Sequence, residues 1–180
     1  IGECKSMSGF KREAKRMLLS TIHAGEAKID KFRVERVLKN YDMSVIQNKK
    51  PKKVKRVVFI ITRMVRFHGG QTSVLRLGTK LADLGFDVIY AVYKEQTKEE
   101  MQLCAKSNLS GFKGRLCTCE KLKTLRTDVV VATSYDTVSF AKKMDAYKMY
   151  FVQDYEPYFY PFGELFFLAK KTYEQGLHMV

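Results

Sequence analysis

The sequence contains little cysteine and no long apolar run. Its four cysteines are too few and too unevenly spaced for a disulfide framework: Cys4, Cys104, Cys117 and Cys119. No apolar run reaches the roughly 18 residues that a membrane-spanning helix needs, and charges stand near the N-terminus where a signal peptide has its apolar segment. These absences favour a soluble protein of the cytoplasm.

Acidic residues are scarce beside basic ones. The 180 residues include 33 Lys and Arg against 19 Asp and Glu, which gives a net charge of +14. Residues 1–56 hold 16 Lys and Arg and 6 Asp and Glu, whereas residues 57–180 hold 17 and 13. Such a basic N-terminal segment meets nucleic acid, an anionic membrane surface or only water, and charge alone does not choose among these.

Common cofactor and catalytic motifs are missing as well. There is no G-x-G-x-x-G fingerprint, and residues 78–80, Gly-Thr-Lys, have the wrong order for a Walker A loop. The pair Cys117 and Cys119 lacks the two-residue gap of a zinc knuckle. The histidines are too far apart in sequence to suggest a catalytic triad: His23, His68 and His178. We therefore expect no NAD, no P-loop ATP site, no metal and no other cofactor.

The pattern along the chain predicts three parts. Residues 1–46 form a basic amphipathic helical segment, because apolar residues within 10–41 recur at helical spacing. Residues 47–56 are rich in lysine and predict a linker. Residues 57–180 alternate short apolar runs with amphipathic stretches, which is typical of βαβ units.

The third part predicts a Rossmann-like parallel sheet with helices on both faces. Its strands are expected over these ranges: 57–62, 86–93, 113–117, 129–133 and 148–153. Its helices are expected over these: 71–84, 97–107, 137–145 and 163–173. The first helix should bury its apolar side, including Leu84, and end with Gly85 in the left-handed conformation. The run 177–180 enters a further strand, so we expect a sheet that the given sequence does not complete.

Ligands of such sheets bind beyond the carboxyl ends of the strands. After the first strand, Gly69 and Gly70 stand just before a helix, where bare backbone N–H groups can approach a phosphate or a sugar hydroxyl. The alternative is a tight turn that needs positive φ. Arg63, Arg66 and His68 in the same loop favour an anionic ligand.

Polar residues follow two later strands. Ser134 and Asp136 follow the strand at 129–133, where they either face a ligand or cap the next helix. Gln153 and Asp154 follow the strand at 148–153. A carboxylate buried beside bulky aromatics is costly without a partner or a task, so Asp154 is the strongest candidate for chemistry. The aromatic loop at 155–162 stacks on sugar rings, lines an interface or packs internally.

Two segments resemble one enzyme family. The Gly-Gly loop with a helix ending in L-x-x-L-G-F-D-V, followed later by VQDYEPYFYPFG, resembles the N-terminal domain of GT-B glycosyltransferases of the family 4 type. The bacterial rhamnosyltransferase-like proteins of surface-polysaccharide assembly are the most similar. The resemblance covers residues 57–180, and VQDYEPYFYPFG is its more specific part.

The resemblance implies an acceptor-side domain that works with a C-terminal donor domain. The enzyme would transfer a sugar, rhamnose in the similar proteins, from a nucleotide-sugar donor to a glycan or lipid-linked acceptor, without a cofactor. Gly69 and Gly70 would lie near the donor diphosphate, and Asp154 would orient or activate the acceptor hydroxyl. The acceptor site would use these residues: His68, Gln71, Ser134, Gln153, Tyr155 and Glu156. The basic N-terminus would dock on the anionic inner face of the cell membrane.

A hypothesis from another class is a non-catalytic α/β module whose basic N-terminus contacts nucleic acid. The sequence supports it by charge alone, because no RNA- or DNA-binding motif is present.

Overall fold

The computed structural model describes Met17 and residues 43–180, and the α/β unit within it spans Asp42–Val180. The predicted helical segment therefore lies outside the described residues, apart from Met17. The strands are β1 Arg56–Ile61, β2 Asp87–Val92, β3 Arg115–Cys117, β4 Val129–Ala132, β5 Tyr147–Tyr150 and β6 His178–Met179. The helices are α1 Gly69–Asp83, α2 Lys98–Asn108, α3 Cys119–Leu122, α4 Tyr135–Lys142 and α5 Glu164–Thr172. A 3₁₀ turn spans Glu156–Phe159.

The strands form one parallel sheet in the order β3-β2-β1-β4-β5-β6. This is the doubly wound order in which the chain starts in the middle and reverses direction between β1 and β4. The predicted α/β class with a Rossmann-like sheet is confirmed.

Apolar side chains cover both faces of the sheet. Phe59 and Tyr90 stack at 5.7 Å on the face that carries α1 and α2. Val58 and Ile60 point to the opposite face, where they pack with Val138 of α4. The central strand is β-branched and buried on both sides, as a strand between two helical layers must be. Each of these buried side chains stabilises the fold by about 1.5–3 kcal/mol.

The boundaries differ from the predictions at two places that matter for the site. The strand expected over 148–153 ends at Tyr150, so Gln153 and Asp154 lie in the loop beyond it. The helix expected from residue 137 begins at Tyr135, which puts Asp136 in its first turn. The run 177–180 supplies the edge strand β6.

The end of α1 was predicted in part. Gly85 has φ +89°, which confirms the left-handed cap. The expectation that Leu84 is buried is wrong, because Leu84 is the C-cap residue and is 74% exposed. The helix ends one residue earlier than its apolar pattern, so Leu84 has already turned away from the sheet.

The lysine-rich residues 47–56 lie along the α/β unit. Asn48 forms two hydrogen bonds with the backbone of Lys148, accepting from its N–H at 2.9 Å and donating to its carbonyl at 2.6 Å. Val54 packs on the core, and β1 begins at Arg56. Within the described residues, no helix has the length and apolar composition to cross a bilayer.

Candidate functional site

The crevice where the strand order reverses lies beyond the carboxyl ends of β1 and β4. Thr62 directly follows β1, and Ser134 follows β4 and precedes α4. Tyr93 follows β2, which pairs with β1 on its other side. The sheet order therefore brings three loops together at one edge.

Four polar side chains from these loops form what we call the crevice cluster: Thr62, Tyr93, Ser134 and Asp136. One carboxylate oxygen of Asp136, Oδ2, accepts hydrogen bonds from the Thr62 hydroxyl at 2.7 Å and the Tyr93 hydroxyl at 2.5 Å. The other, Oδ1, accepts from the Ser134 hydroxyl at 2.5 Å. Both oxygens of this carboxylate are therefore engaged, and Asp136 ties the ends of three strands together.

Burial keeps Tyr93, the tyrosine of this cluster, protonated. The pKa of Tyr93 is raised first by burial and then by the neighbouring Asp136 carboxylate. Its ring stacks on Phe140 of α4 at 4.3 Å. Tyr93 thus remains a neutral hydrogen-bond donor at any physiological pH.

The paired glycines, Gly69 and Gly70, are the first two residues of α1 and leave its N-terminus open because they carry no side chains. His68 is the N-cap residue, and its Nδ1 accepts from the Gln71 N–H at 3.3 Å. The N–H groups of Gly69 and Gly70 donate to no acceptor in the part of the chain that the structure describes. Neither glycine has positive φ, so the left-handed alternative is wrong for Gly69 and Gly70; the loop takes this conformation at Phe67, whose φ is +52°.

Gly70 lies close to the Gln153 side chain, which would have to move if residue 70 carried a side chain. A Cβ at this position would lie 2.5 Å from Oε1 of Gln153 and 3.3 Å from Cε1 of His68. Gln153 also donates to the carbonyl of Thr133 at 3.5 Å, which is the residue before Ser134. The structure therefore brings together Gly70, His68, Gln153 and Ser134 from the residues that the sequence proposed.

The Gln71 side chain forms its hydrogen bonds within the loop after β1. Its side-chain oxygen accepts from the Val65 N–H at 2.9 Å, and its amide nitrogen donates to the Arg63 carbonyl at 2.8 Å. Both ends of the amide are used in holding the loop after β1. Its predicted contact with an acceptor would require these two bonds to break.

Asp154 is exposed, so the desolvation argument made for it from the sequence does not apply. Its Oδ1 accepts from the Tyr155 N–H at 2.7 Å. Its Oδ2 has no hydrogen-bond donor among the described residues. Asp154 is consequently the carboxylate of this edge that keeps an accessible oxygen.

The desolvation argument fits Glu156 instead. Its Oε2 accepts from the Tyr135 N–H at the start of α4, and its Oε1 accepts from the hydroxyl of the fully buried Tyr150, both at 2.9 Å. Burial raises the pKa of Glu156, although both hydrogen bonds oppose the shift. The nearby Asp136 and Asp154 carboxylates raise it further. Glu156 therefore holds α4 against the aromatic loop.

The aromatic loop is half packed and half exposed. Tyr155 contacts the rings of Tyr158 and Tyr173 at 4.9 and 5.2 Å, so its predicted acceptor role competes with internal packing. Tyr158 and Phe162 are 78% and 80% exposed. This loop thus supplies an exposed aromatic surface.

Reasoning from the sequence missed the carboxylate that organises the crevice. The sequence leaves Asp136 either facing a ligand or capping a helix, and it marks Thr62 and Tyr93 only as strand ends. The available signal was that all three come directly after strands whose ends converge in this sheet order. Within the described residues, no group of three His, Cys, Asp or Glu side chains is placed to hold a metal ion.

Comparison with known proteins gives no match, either to a family model, to a curated protein or to a solved structure.

Proposed function

We propose that residues 57–180 form the acceptor-side domain of a glycosyltransferase of the GT-B type. The enzyme would transfer a sugar, such as rhamnose, from a nucleoside-diphosphate donor to a glycan or lipid-linked acceptor. The proposal expects a second α/β domain, which binds the donor, in the polypeptide that contains these residues.

The open N-terminus of α1 carries the proposal. Two N–H groups with no acceptor among the described residues, at the positive end of a 15-residue helix, favour a bound anion such as a diphosphate. Because Gly70 presents no side chain, the ligand can reach the backbone beside Gln153. Arg63 and Arg66 are exposed in the same loop and would add positive charge.

Two carboxylates at this edge of the sheet would have different roles. Asp154 has an accessible oxygen that can accept a hydrogen bond, and then a proton, from an acceptor hydroxyl. Asp136 accepts hydrogen bonds from three hydroxyl groups, so it would hold the loops of the site in place. His68, Ser134 and Gln153 would contact the acceptor.

Exposed aromatic rings offer contact surfaces for a sugar or for the donor domain. Tyr158 and Phe162 offer flat apolar surfaces that stack on sugar rings or meet the donor domain. The basic N-terminal segment would bind the anionic surface of the membrane, where a lipid-linked acceptor is held.

The proposal is tested by sugar transfer in the polypeptide that carries these residues with the donor domain. Asp154→Asn should lower kcat roughly 100-fold or more, because general-base catalysis is lost. Gly70→Val should weaken donor binding by about tenfold, because the charge-assisted bonds to the diphosphate are blocked. The matched controls are Asp145→Asn and Gly111→Val, which lie at exposed positions away from the crevice. Normal transfer by Asp154→Asn, together with normal donor binding by Gly70→Val, would refute the proposal.

A nucleic-acid-binding module remains the second candidate because of one surface. The side chains of five lysines in the segment 47–56 are exposed: Lys49, Lys50, Lys52, Lys53 and Lys55. Steeply salt-dependent binding to arbitrary oligonucleotides would favour it. Loss of that binding when all five are replaced by Gln would assign it to this surface.

A further inference from the structure

A groove of about 890 Å³ follows the outer edge of β3. Its floor is the strand itself from Gly114 to Cys117, together with Ile89 of β2. Lys98 and Gln102 of α2 line one side. Lys121 of α3 and the residues 124–126 that follow α3 line the other. The groove is therefore an edge strand lying between two walls.

Within residues 43–180, nothing covers this edge, and the reason is simple. β3 ends the sheet on this side, and the crossover from β3 to β4 contains only the four-residue helix α3. Ile89 and Cys117 are buried, and the groove lies at the outer edge of β3, beside which the described residues place no longer helix.

The charge of the groove has one sign. Among the described residues that line it, none is acidic and five are cationic: Arg56, Lys98, Arg115, Lys121 and Arg126. Asp87 engages two of these, accepting from Arg56 Nε at 2.6 Å and from Arg115 Nη2 at 2.7 Å. The other three make no ion pair with any described residue.

We propose that this groove binds an acidic, extended peptide segment of a partner protein, which adds to the sheet as a strand beside β3. An edge strand offers unpaired backbone N–H and C=O groups that a peptide can pair with. The surrounding lysines and arginines select a partner rich in Asp and Glu. They also oppose pairing with the β3 edge of a second copy of this chain, because the two edges would carry like charge.

This binding site is separate from the proposed transferase site. The groove is lined by Arg56 at the start of β1 and Arg126 before β4, and it also reaches Cys117 at the carboxyl end of β3. None of the four crevice-cluster residues lines it. The two proposals can therefore be tested independently.

The test uses all 180 residues and a fluorescein-labelled peptide in which Glu alternates with Val and Thr, with binding followed by fluorescence anisotropy. The double variant Lys121→Gln/Arg126→Gln should bind the peptide roughly tenfold more weakly. The matched double variant Lys80→Gln/Lys106→Gln removes the same charge outside the groove and should bind like the parent. A thermal melt of each variant confirms that it is folded.

A second probe separates strand addition from attraction between charges. The same peptide with alternate backbone nitrogens methylated keeps its charge but cannot pair with a strand, so it should fail to bind. Equal binding of the methylated peptide would overturn the proposal. So would an equal loss in both double variants, no binding of the unmodified peptide, or tighter binding of a single-stranded oligonucleotide of the same charge.

Discussion

The crevice cluster and the β3 groove are both polar, yet they are built in opposite ways. In the crevice, Asp136 is surrounded by hydroxyl groups that donate to it, so its hydrogen bonds are complete without a ligand. In the groove, Lys98, Lys121 and Arg126 face open space with no carboxylate partner among the described residues. The first arrangement stabilises the fold, whereas the second is suited to an incoming partner. Substitutions should therefore cost stability at the crevice edge, whereas substitutions of these three groove cations should affect only binding.

The largest loss of stability is expected beside the crevice, for Glu156→Ala. This change leaves the Tyr135 N–H and the buried Tyr150 hydroxyl without their acceptor. The free energy of unfolding should fall by about 2–4 kcal/mol. Urea unfolding measures it, with the exposed Glu164→Ala as control. A loss equal to that of the control would show that Glu156 does not hold α4.

The variant Glu156→Gln tests the same contact through the pH dependence of stability. The pKa of Glu156 is raised above its ordinary 4.5, so the folded state binds this proton more tightly than the unfolded state does. Its contribution to stability is complete below pH 4.5 and is lost as pH rises through the folded pKa. The Gln variant should lack this decline when Tm is followed from acid to neutral pH. An unchanged pH profile would contradict the assignment.

Asp136→Ala should have the next largest effect. Three hydroxyl groups lose their acceptor, but they are only half-buried and water can replace part of the loss. We expect a decrease of about 1–3 kcal/mol in the free energy of unfolding. Asp145→Ala, at an exposed position, should stay within about 0.5 kcal/mol of the parent. Equal stability of the two variants would show that the crevice cluster is not a structural unit.

A smaller effect is expected beside the groove, for Asp87→Asn, because Asp87 binds two of its arginines. Hydrogen bonds from Arg115 and Arg56 lower the pKa of Asp87 from its ordinary 3.8. Its stabilisation is therefore present above pH 3.8 and is lost as pH falls through the folded pKa. Because this pair is partly exposed and screened, the loss at neutral pH should be about 1 kcal/mol. The Asn variant should also unfold less steeply in acid, and an acid transition like that of the parent would contradict this.

The smallest effect separates the two regions most clearly. Lys121→Gln/Arg126→Gln should change the free energy of unfolding by less than about 0.5 kcal/mol, because neither side chain has an ion-pair partner among the described residues. Urea unfolding of this variant checks it. A loss of stability comparable to that of Asp136→Ala would show that the groove cations support the fold.

Much of the fold was predictable because the central strands are continuous apolar runs. Runs such as Val57–Ile61 and Val129–Ala132 have no other stable place than a sheet covered on both faces. The crevice was harder to predict. That Thr62, Tyr93 and Asp136 converge depends on β1 lying between β2 and β4, which a pattern within one strand does not reveal. A shift of two residues in the start of α4 was enough to hide the role of Asp136.

The choice between Asp154 and Glu156 shows the same limit. Both follow β5 in an aromatic stretch, and sequence alone assigns the cost of burial to either. The loop turns Glu156 inward to Tyr150 and leaves Asp154 exposed. The groove was not predictable either, since it arises from a crossover helix of a single turn.

The proposed function requires that the crevice, and not the groove, receives the diphosphate of a sugar donor. Amide NMR spectra of the isotopically labelled polypeptide that carries these residues with the donor domain, recorded while a nucleoside-diphosphate sugar is titrated in, show where the donor binds. We expect the largest shifts at Gly69, Gly70 and the residues around Ser134, and their loss in Gly70→Val. Shifts confined to Arg115, Lys121 and Arg126, or no shift in the crevice at all, would contradict the claim.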